Sequence, residues 1–147
     1  MTLLIDTGLF YALQNQRANR HAVAKDAFSA VLAGAYGRPY TSDYVYDEAV
    51  TLVRQRTGGF AEAKTTGDRI RGVGDFPDAI TMLFVTESAF EATIEIFGRY
   101  DDQSLSFTDT TTIALIEAHG LDAVLSFDDD FDGLVDRLDP ATAVEES

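Results

Sequence analysis

The sequence predicts an α/β fold, a single domain with a central parallel sheet of four to five strands and helices on both faces. Three observations lead there. Short apolar runs without polar alternation, such as Leu3-Leu4-Ile5 and Ala123-Val124-Leu125, suit strands buried on both sides. Longer segments with apolar residues at helical spacing separate these runs, which is the pattern of a parallel sheet covered by helices. The 147 residues, 46% of them hydrophobic, match one domain without repeat or linker. A chain of this size buries roughly 70% of its unfolded surface, enough for a core. The domain is expected over residues 1–139, with an acidic, flexible tail over 140–147.

Taken in order, Leu3-Leu4-Ile5 reads as a strand ending at Asp6-Thr7-Gly8, where a turn and helix begin. Two helices come next, one carrying Phe10 and Leu13, the other Ala22, Val23, Ala27, Phe28, Val31 and Leu32 before Gly34 stops it. Pro39 biases Arg38 away from helix, so Arg38 to Ser42 is extended, and Ser42 can cap the third helix. That helix carries Tyr46, Ala49, Val50, Leu52 and Val53 and stops at Gly58-Gly59; a polar helix runs from Phe60 to Arg71. Ile80 to Val85 reads as a strand. Thr86 caps a helix with Phe90, Ile94 and Phe97 on one face, running to Arg99. Ser106 to His119 is a helix ended by Gly120, and Ala123 to Ser126 is a strand running into Phe127-Asp128-Asp129-Asp130-Phe131.

Charge bears directly on the class of ligand. Against 25 acids stand 11 bases, a net charge of −14, and acidity of this size repels phosphate. Composition alone therefore argues against a nucleic-acid ligand. Yet the apolar fraction is that of a globular protein, and Asp outnumbers Glu two to one with only two lysines. Self-repulsion is tolerable where salt screens it, since the Debye length is only ~3 Å at ~1 M ionic strength. Adaptation to salt, as in a halophilic archaeon, is the expectation, with most carboxylates a solvated coat. The absence of cysteine excludes disulfides, thiolate-bound zinc and thiol catalysis. With neither a signal peptide nor an apolar run near the ~20 residues of a membrane span, a cytoplasmic location is expected.

Any functional acid must be separated from that coat by position. Asp6 and Asp128 come after apolar runs, at strand ends that open on one crevice, where doubly wound sheets bind ligands. Asp109 lies in the first turn of its helix, and Glu48 lies mid-helix beside Ala49-Val50. Four converging carboxylates repel unless a hard divalent cation neutralises them, and oxygen-only ligation suits Mg²⁺ or Mn²⁺. Bland alternatives stand beside this. Asp6 could cap the next helix, Ser106-Phe107-Thr108-Asp109 fits a capping box, and Asp129 reads best as solvated coat. Glu48 has no arginine at the i,i+4 position, because Arg54 and Arg56 lie six and eight residues on.

Over nearly its whole length the chain resembles the PIN-domain ribonucleases, and within them the VapC-type toxins. The resemblance is carried by Leu4-Ile5-Asp6-Thr7, Asp47-Glu48-Ala49-Val50-Thr51-Leu52 with Arg54-Gln55-Arg56, Leu105-Ser106-Phe107-Thr108-Asp109, and Val124 through Phe131. It implies that Asp6, Glu48, Asp109 and Asp128 form an acidic quartet binding Mg²⁺ or Mn²⁺, with Asp130 an occasional extra contributor and Thr7 and Ser126 as auxiliary hydroxyls. It further implies endonucleolytic hydrolysis of RNA, leaving a 5′-phosphate and a 3′-hydroxyl, a small antitoxin partner, and a homodimer. The choice between Asp128 and Asp130 is open within a loop of three adjacent acids.

On so acidic a surface RNA must be held by the cation and a few arginines, for which Arg54 and Arg56 are the candidates, with Arg69 and Arg71 behind them. His21 and His119 read as helix-end residues, and the tyrosines at 36, 40, 44 and 46 as core or interface filling. A phospho-acceptor signalling domain would need a lysine opposite its aspartate, but Lys25 and Lys64 fall in helices away from strand ends. A haloacid-dehalogenase-type phosphatase would need Asp where Gly8 stands. A housekeeping RNA-processing nuclease and an inactive metal-binding module are the remaining alternatives.

Overall fold

The computed structural model describes residues 1–142; the expected tail falls mostly on 143–147, outside the described residues. In chain order the elements are β1 (Thr2–Ile5), α1 (Thr7–Gln14), α2 (His21–Leu32), β2 (Arg38–Ser42), α3 (Asp43–Thr57), α4 (Phe60–Arg71), β3 (Thr81–Leu83), α5 (Glu87–Arg99), α6 (Phe107–His119), β4 (Ala123–Leu125) and β5 (Arg137–Leu138). One short 3₁₀ turn, Asp129–Phe131, comes after β4.

All five strands pair in parallel in the order β3-β2-β1-β4-β5. In β1, Leu3, Leu4 and Ile5 are all fully buried although successive side chains point to opposite faces, so both faces of the sheet centre are covered. From β1 the chain steps to β2 on one side and later to β4 on the other. The strand order therefore reverses between β1 and β4, whose registers run Leu3 with Ala123 to Ile5 with Leu125. Helices α1 to α4 pack among themselves and α5 packs on α6, with α3 touching both groups.

Local chemistry explains the boundaries. Ser42 and Thr86 accept hydrogen bonds from the amides of Val45 and Ala89, 3.1 and 3.2 Å away, and so cap α3 and α5 as their types suggest. Gly58 and Gly120 end α3 and α6 in the left-handed region, at φ 74° and 63°, where a side chain would be strained. Gly67 lets α4 press on α3, since a Cβ there would lie 2.6 Å from the Tyr46 hydroxyl.

One strand is shorter than the sequence expectation, and two further features were not contained in it. The strand expected over Ile80 to Val85 shortens to Thr81–Leu83, because the Val85 amide donates to the Asp43 carboxylate at 2.9 Å instead of continuing the ladder. The two-residue β5 is not readable from periodicity; Ser126 donates its amide to Leu138, and Arg137 donates to the Ser126 carbonyl at 3.1 Å. In α5 the buried face is Thr93 and Ile96, while Phe90, Ile94 and Phe97 stay partly exposed, with the Phe90 and Phe97 rings against Phe107 of α6. Thr93 tolerates burial because its hydroxyl donates to the Ala89 carbonyl at 2.7 Å.

Candidate metal centre

Asp6 is the first residue beyond β1. Its amide donates to the Leu125 carbonyl at 3.1 Å, which fixes it across the β1–β4 reversal. Its backbone is extended and precedes α1, yet its side chain makes no capping bond, so the capping role does not explain the carboxylate. Asp6 is only 4% exposed. One oxygen, Oδ2, accepts from the Ser126 hydroxyl at 2.7 Å; the other, Oδ1, is buried with no partner among the described residues. Burial pushes this carboxyl up to about 7, aided by the charges of Asp109 and Glu48, while the Ser126 hydrogen bond opposes the shift.

Asp109, at 9% exposure, does form the capping box, donating its amide to Ser106 Oγ at 3.0 Å and accepting the Ser106 amide on Oδ2 at 3.1 Å. The cap commits that one oxygen and holds the carboxyl at the mouth of α6. Desolvation raises Asp109 to about 6, with Asp128 and Glu48 adding repulsion. Both bland and functional readings of Asp109 are thus compatible in one geometry.

Asp6, Thr7, Glu48, Asp109, Ser126 and Asp128 all line one cleft of about 500 Å³. Glu48 projects from α3 with Leu52 one turn further along the same wall. Asp128 is held by a second use of Ser126, whose Oγ accepts the Asp128 amide at 3.0 Å, and Asp128 in turn accepts the Asp130 amide at 2.9 Å. Asp130 is not in the cleft wall, whereas exposed Asp129 is. Among the described residues, the only trio of acids with ligand oxygens all within 4.8 Å of one another is Asp128, Asp129 and Asp130. The quartet itself is wider than one ion's inner sphere, so part of it would reach a cation through water, as Mg²⁺ hydration favours.

The donor set fits a hard divalent cation. Only oxygen donors converge, and the partnerless Asp6 Oδ1 and Thr7 Oγ1 are buried polar atoms of the kind an ion or its water satisfies. A larger groove of about 680 Å³ runs along β3 between Tyr46, Ile70, Ile80, Met82 and Phe84, with Asp43, Arg71 and Asp78 also in its wall; it contains none of the four acids and is mainly apolar.

The arginines expected to hold RNA do not line this cleft. Arg54 lies over the Phe60 ring and Arg56 over Tyr11; position six after Glu48 turns off the face that Glu48 and Leu52 share, whereas position eight stays near that face but about 12 Å further along the helix. Arg69 stacks on Phe76 and donates to Gln14. Arg20 lines the cleft instead. It stands in the polar segment between α1 and α2, where no periodicity or motif marks it. His21 contacts the Ala12 carbonyl through Nδ1 at 2.8 Å, an ordinary helix-start role.

A model of the PIN domain family matches residues 3–136. The 23S rRNA-specific endonuclease VapC20 of Mycobacterium tuberculosis is 28% identical over 132 residues, covering 88% of this chain and 91% of the relative. Its crystal structure, described as a sarcin–ricin loop cleaving toxin, superposes with a TM-score of 0.75 at 29% identity, covering 88% and 92% of the two chains. A toxin–antitoxin complex from Klebsiella pneumoniae shares the fold at a TM-score of 0.64 and 16% identity, over 94% and 97% of the chains. VapBC2 from Rickettsia felis, bound to a DNA fragment, does so at 0.67 and 9% identity, over 94% and 98%. The match begins within β1 and ends one residue before β5, taking in the whole cleft, and the chain belongs to the PIN domain family.

Proposed function

We propose that this protein is a VapC-type endoribonuclease, dependent on Mg²⁺ or Mn²⁺, whose site residues are Asp6, Glu48, Asp109 and Asp128, with Thr7 and Ser126 as auxiliary hydroxyls. The observation that carries this reading is the buried, half-satisfied Asp6 carboxyl sharing one cleft with the other three acids at the β1–β4 reversal. Asp6 and Asp109 would hold the cation, with Glu48 and Asp128 completing its surroundings. A bound divalent cation would supply a water of lowered pKa and polarise the scissile phosphate. Ser126 orients Asp6 by donating to Oδ2 and fixes Asp128 by accepting its amide. The Ser106 amide does the same for Asp109.

Ribosomal RNA is the proposed substrate class, by analogy with the relative named for 23S rRNA, and the proposed products carry a 5′-phosphate and a 3′-hydroxyl. A small antitoxin is the proposed regulator, supported by the toxin–antitoxin assemblies among the structural neighbours. A homodimer is the proposed assembly, and the partly exposed Phe90, Ile94 and Phe97 of α5 support a protein partner for this molecule. No helix among the described residues is long and apolar enough to cross a membrane, which accords with the proposed cytoplasmic location.

The test is incubation of the purified protein with ribosomal RNA at molar KCl, with Mg²⁺, Mn²⁺ or EDTA. Discrete cleavage that needs the cation supports the reading; cation binding without cleavage of any RNA would identify an inactive module.

A further inference from the structure

Among the described residues, Arg20 is the only basic residue in the wall of the acidic cleft. A guanidinium beside Asp6, Glu48, Asp109, Asp128 and Asp129 would be expected to pair with one of them. It does not: among the described residues the ion pairs are those of Lys64, Arg99 and Arg137, and Arg20 has none. Its Cζ lies instead 4.7 Å from the centroid of the Phe127 ring. Phe127 is itself half-buried against the core, with its edge 4.0 Å from where a Cβ on Gly8 would be. The ring is anchored, and it holds the guanidinium at the cleft.

Stacking on arginine is common in this chain and alone distinguishes nothing, since Arg54, Arg56 and Arg69 also lie over aromatic rings. Arg20 differs because its ring immediately precedes Asp128 and because it faces the cleft. A stacked guanidinium keeps its in-plane N–H donors free, in a fork that matches two phosphate oxygens. We propose that Arg20, held over Phe127, is the phosphate-contacting residue that seats the RNA backbone in the cleft, the role for which Arg54 and Arg56 are misplaced. The inference rests on the RNA-cleaving reading of the site. It also removes the difficulty of so acidic a surface, because one pre-positioned cation needs no surrounding basic field.

The test uses a labelled oligonucleotide spanning the strongest cut that the wild-type protein makes in 23S ribosomal RNA with Mn²⁺. Kinetics and fluorescence anisotropy are measured across a KCl series for the wild type, Arg20→Ala, Arg20→Lys and Phe127→Leu. Arg20→Ala should raise KM about tenfold with kcat changed less than about threefold, and lower the salt slope of log affinity by about 0.7, the value for one single-strand phosphate contact. Arg20→Lys should restore the slope but only part of the affinity, since a point charge replaces the fork. Phe127→Leu should raise KM while the slope stays near that of the wild type. Wild-type KM and salt slope in Arg20→Ala would overturn the inference. So would an equal loss in Arg20→Ala and Arg20→Lys with lowered Mn²⁺ affinity, which marks a structural role. If the wild type binds an RNA hairpin from 23S ribosomal RNA but cleaves nothing, the enzymatic reading fails, and the anisotropy slopes still decide Arg20. If it neither binds nor cleaves, both fail.

Discussion

The Ser126 hydroxyl donates to Asp6 Oδ2 at 2.7 Å and accepts the Asp128 amide at 3.0 Å, so one buried hydroxyl joins the acid after β1 to the acid after β4. That bridge spans the strand reversal on which the cleft is built. Removing it should loosen two carboxylates at once. Ser126→Ala is expected to lower cation affinity and cleavage by about 10-fold to 100-fold, in the range for groups that orient metal ligands. The Asp6 carboxyl should rise further, because the hydrogen bond now opposing its burial is gone. Isothermal titration with Mn²⁺ and cleavage rates across pH check both parts.

Burial of Asp6 also makes a prediction for stability. Its folded value of about 7 exceeds the ordinary 3.8, so the folded state holds this proton more tightly than the unfolded chain does. That contribution is complete below about pH 4 and is lost as pH rises toward 7. Cation-free protein should therefore weaken over this window, and Asp6→Asn should be the more stable protein at pH 8 in EDTA. The expected gain is on the order of 2 kcal/mol, discounted from ~1.4 kcal/mol per unit for relaxation of the site. The gap should narrow at pH 5. Thermal or urea melts at the two pH values measure it, and a wild type more stable than the variant at pH 8 would contradict the burial argument.

Cation binding should show the same protons from the other side. Asp6 and Asp109 hold theirs up to about 7 and about 6, and a divalent ion requires both groups ionised. Mn²⁺ affinity should fall as pH is lowered through 7 and 6, with proton release measurable by titration in buffers of different ionisation enthalpy. Affinity that is flat between pH 5 and 8 would place the ion elsewhere.

Phe131 tests how firmly the acid loop is anchored. It is fully buried in the turn just after Asp128, so Phe131→Ala removes core volume and the loop's anchor together. A loss of about 3–5 kcal/mol is expected by denaturant unfolding. A loss below about 1 kcal/mol would show that the turn collapses around the gap.

Much of this site was legible because strand ends are legible. Asp6 stands directly after the apolar run of β1 and Asp128 three residues after that of β4, and a parallel sheet sends such residues to one edge. Asp109 was legible for two reasons that looked exclusive and are not, since its cap uses one oxygen and leaves the other. Arg20 was not, because it lies in an aperiodic polar segment and meets Phe127 only through the tertiary fold. The orientation of α5 was hidden for a different reason. Its stripe of Phe90, Ile94 and Phe97 marks an apolar face without saying whether the domain's own core or another molecule covers it, and the core takes Thr93 and Ile96. Strand β5 is too short, at two residues, to leave a pattern.

The net charge of −14 bears on working conditions as well as on ligands. If RNA is held by a cation and one stacked arginine, few counterions are released on binding, and affinity should fall only slightly with salt. Cleavage should persist at molar KCl, while a loss of several orders of magnitude between low and molar salt would point to a broad basic contact that the surface does not offer.

Asp6 and its three neighbours are proposed to hold the cation that cuts RNA, and the most direct measurement compares wild type with Asp6→Asn. Cleavage of ribosomal RNA and Mn²⁺ binding are followed at molar KCl, on protein whose melt confirms folding. The variant should lose both cleavage and high-affinity Mn²⁺ binding while remaining folded. Undiminished cation-dependent cleavage by Asp6→Asn would contradict the assignment.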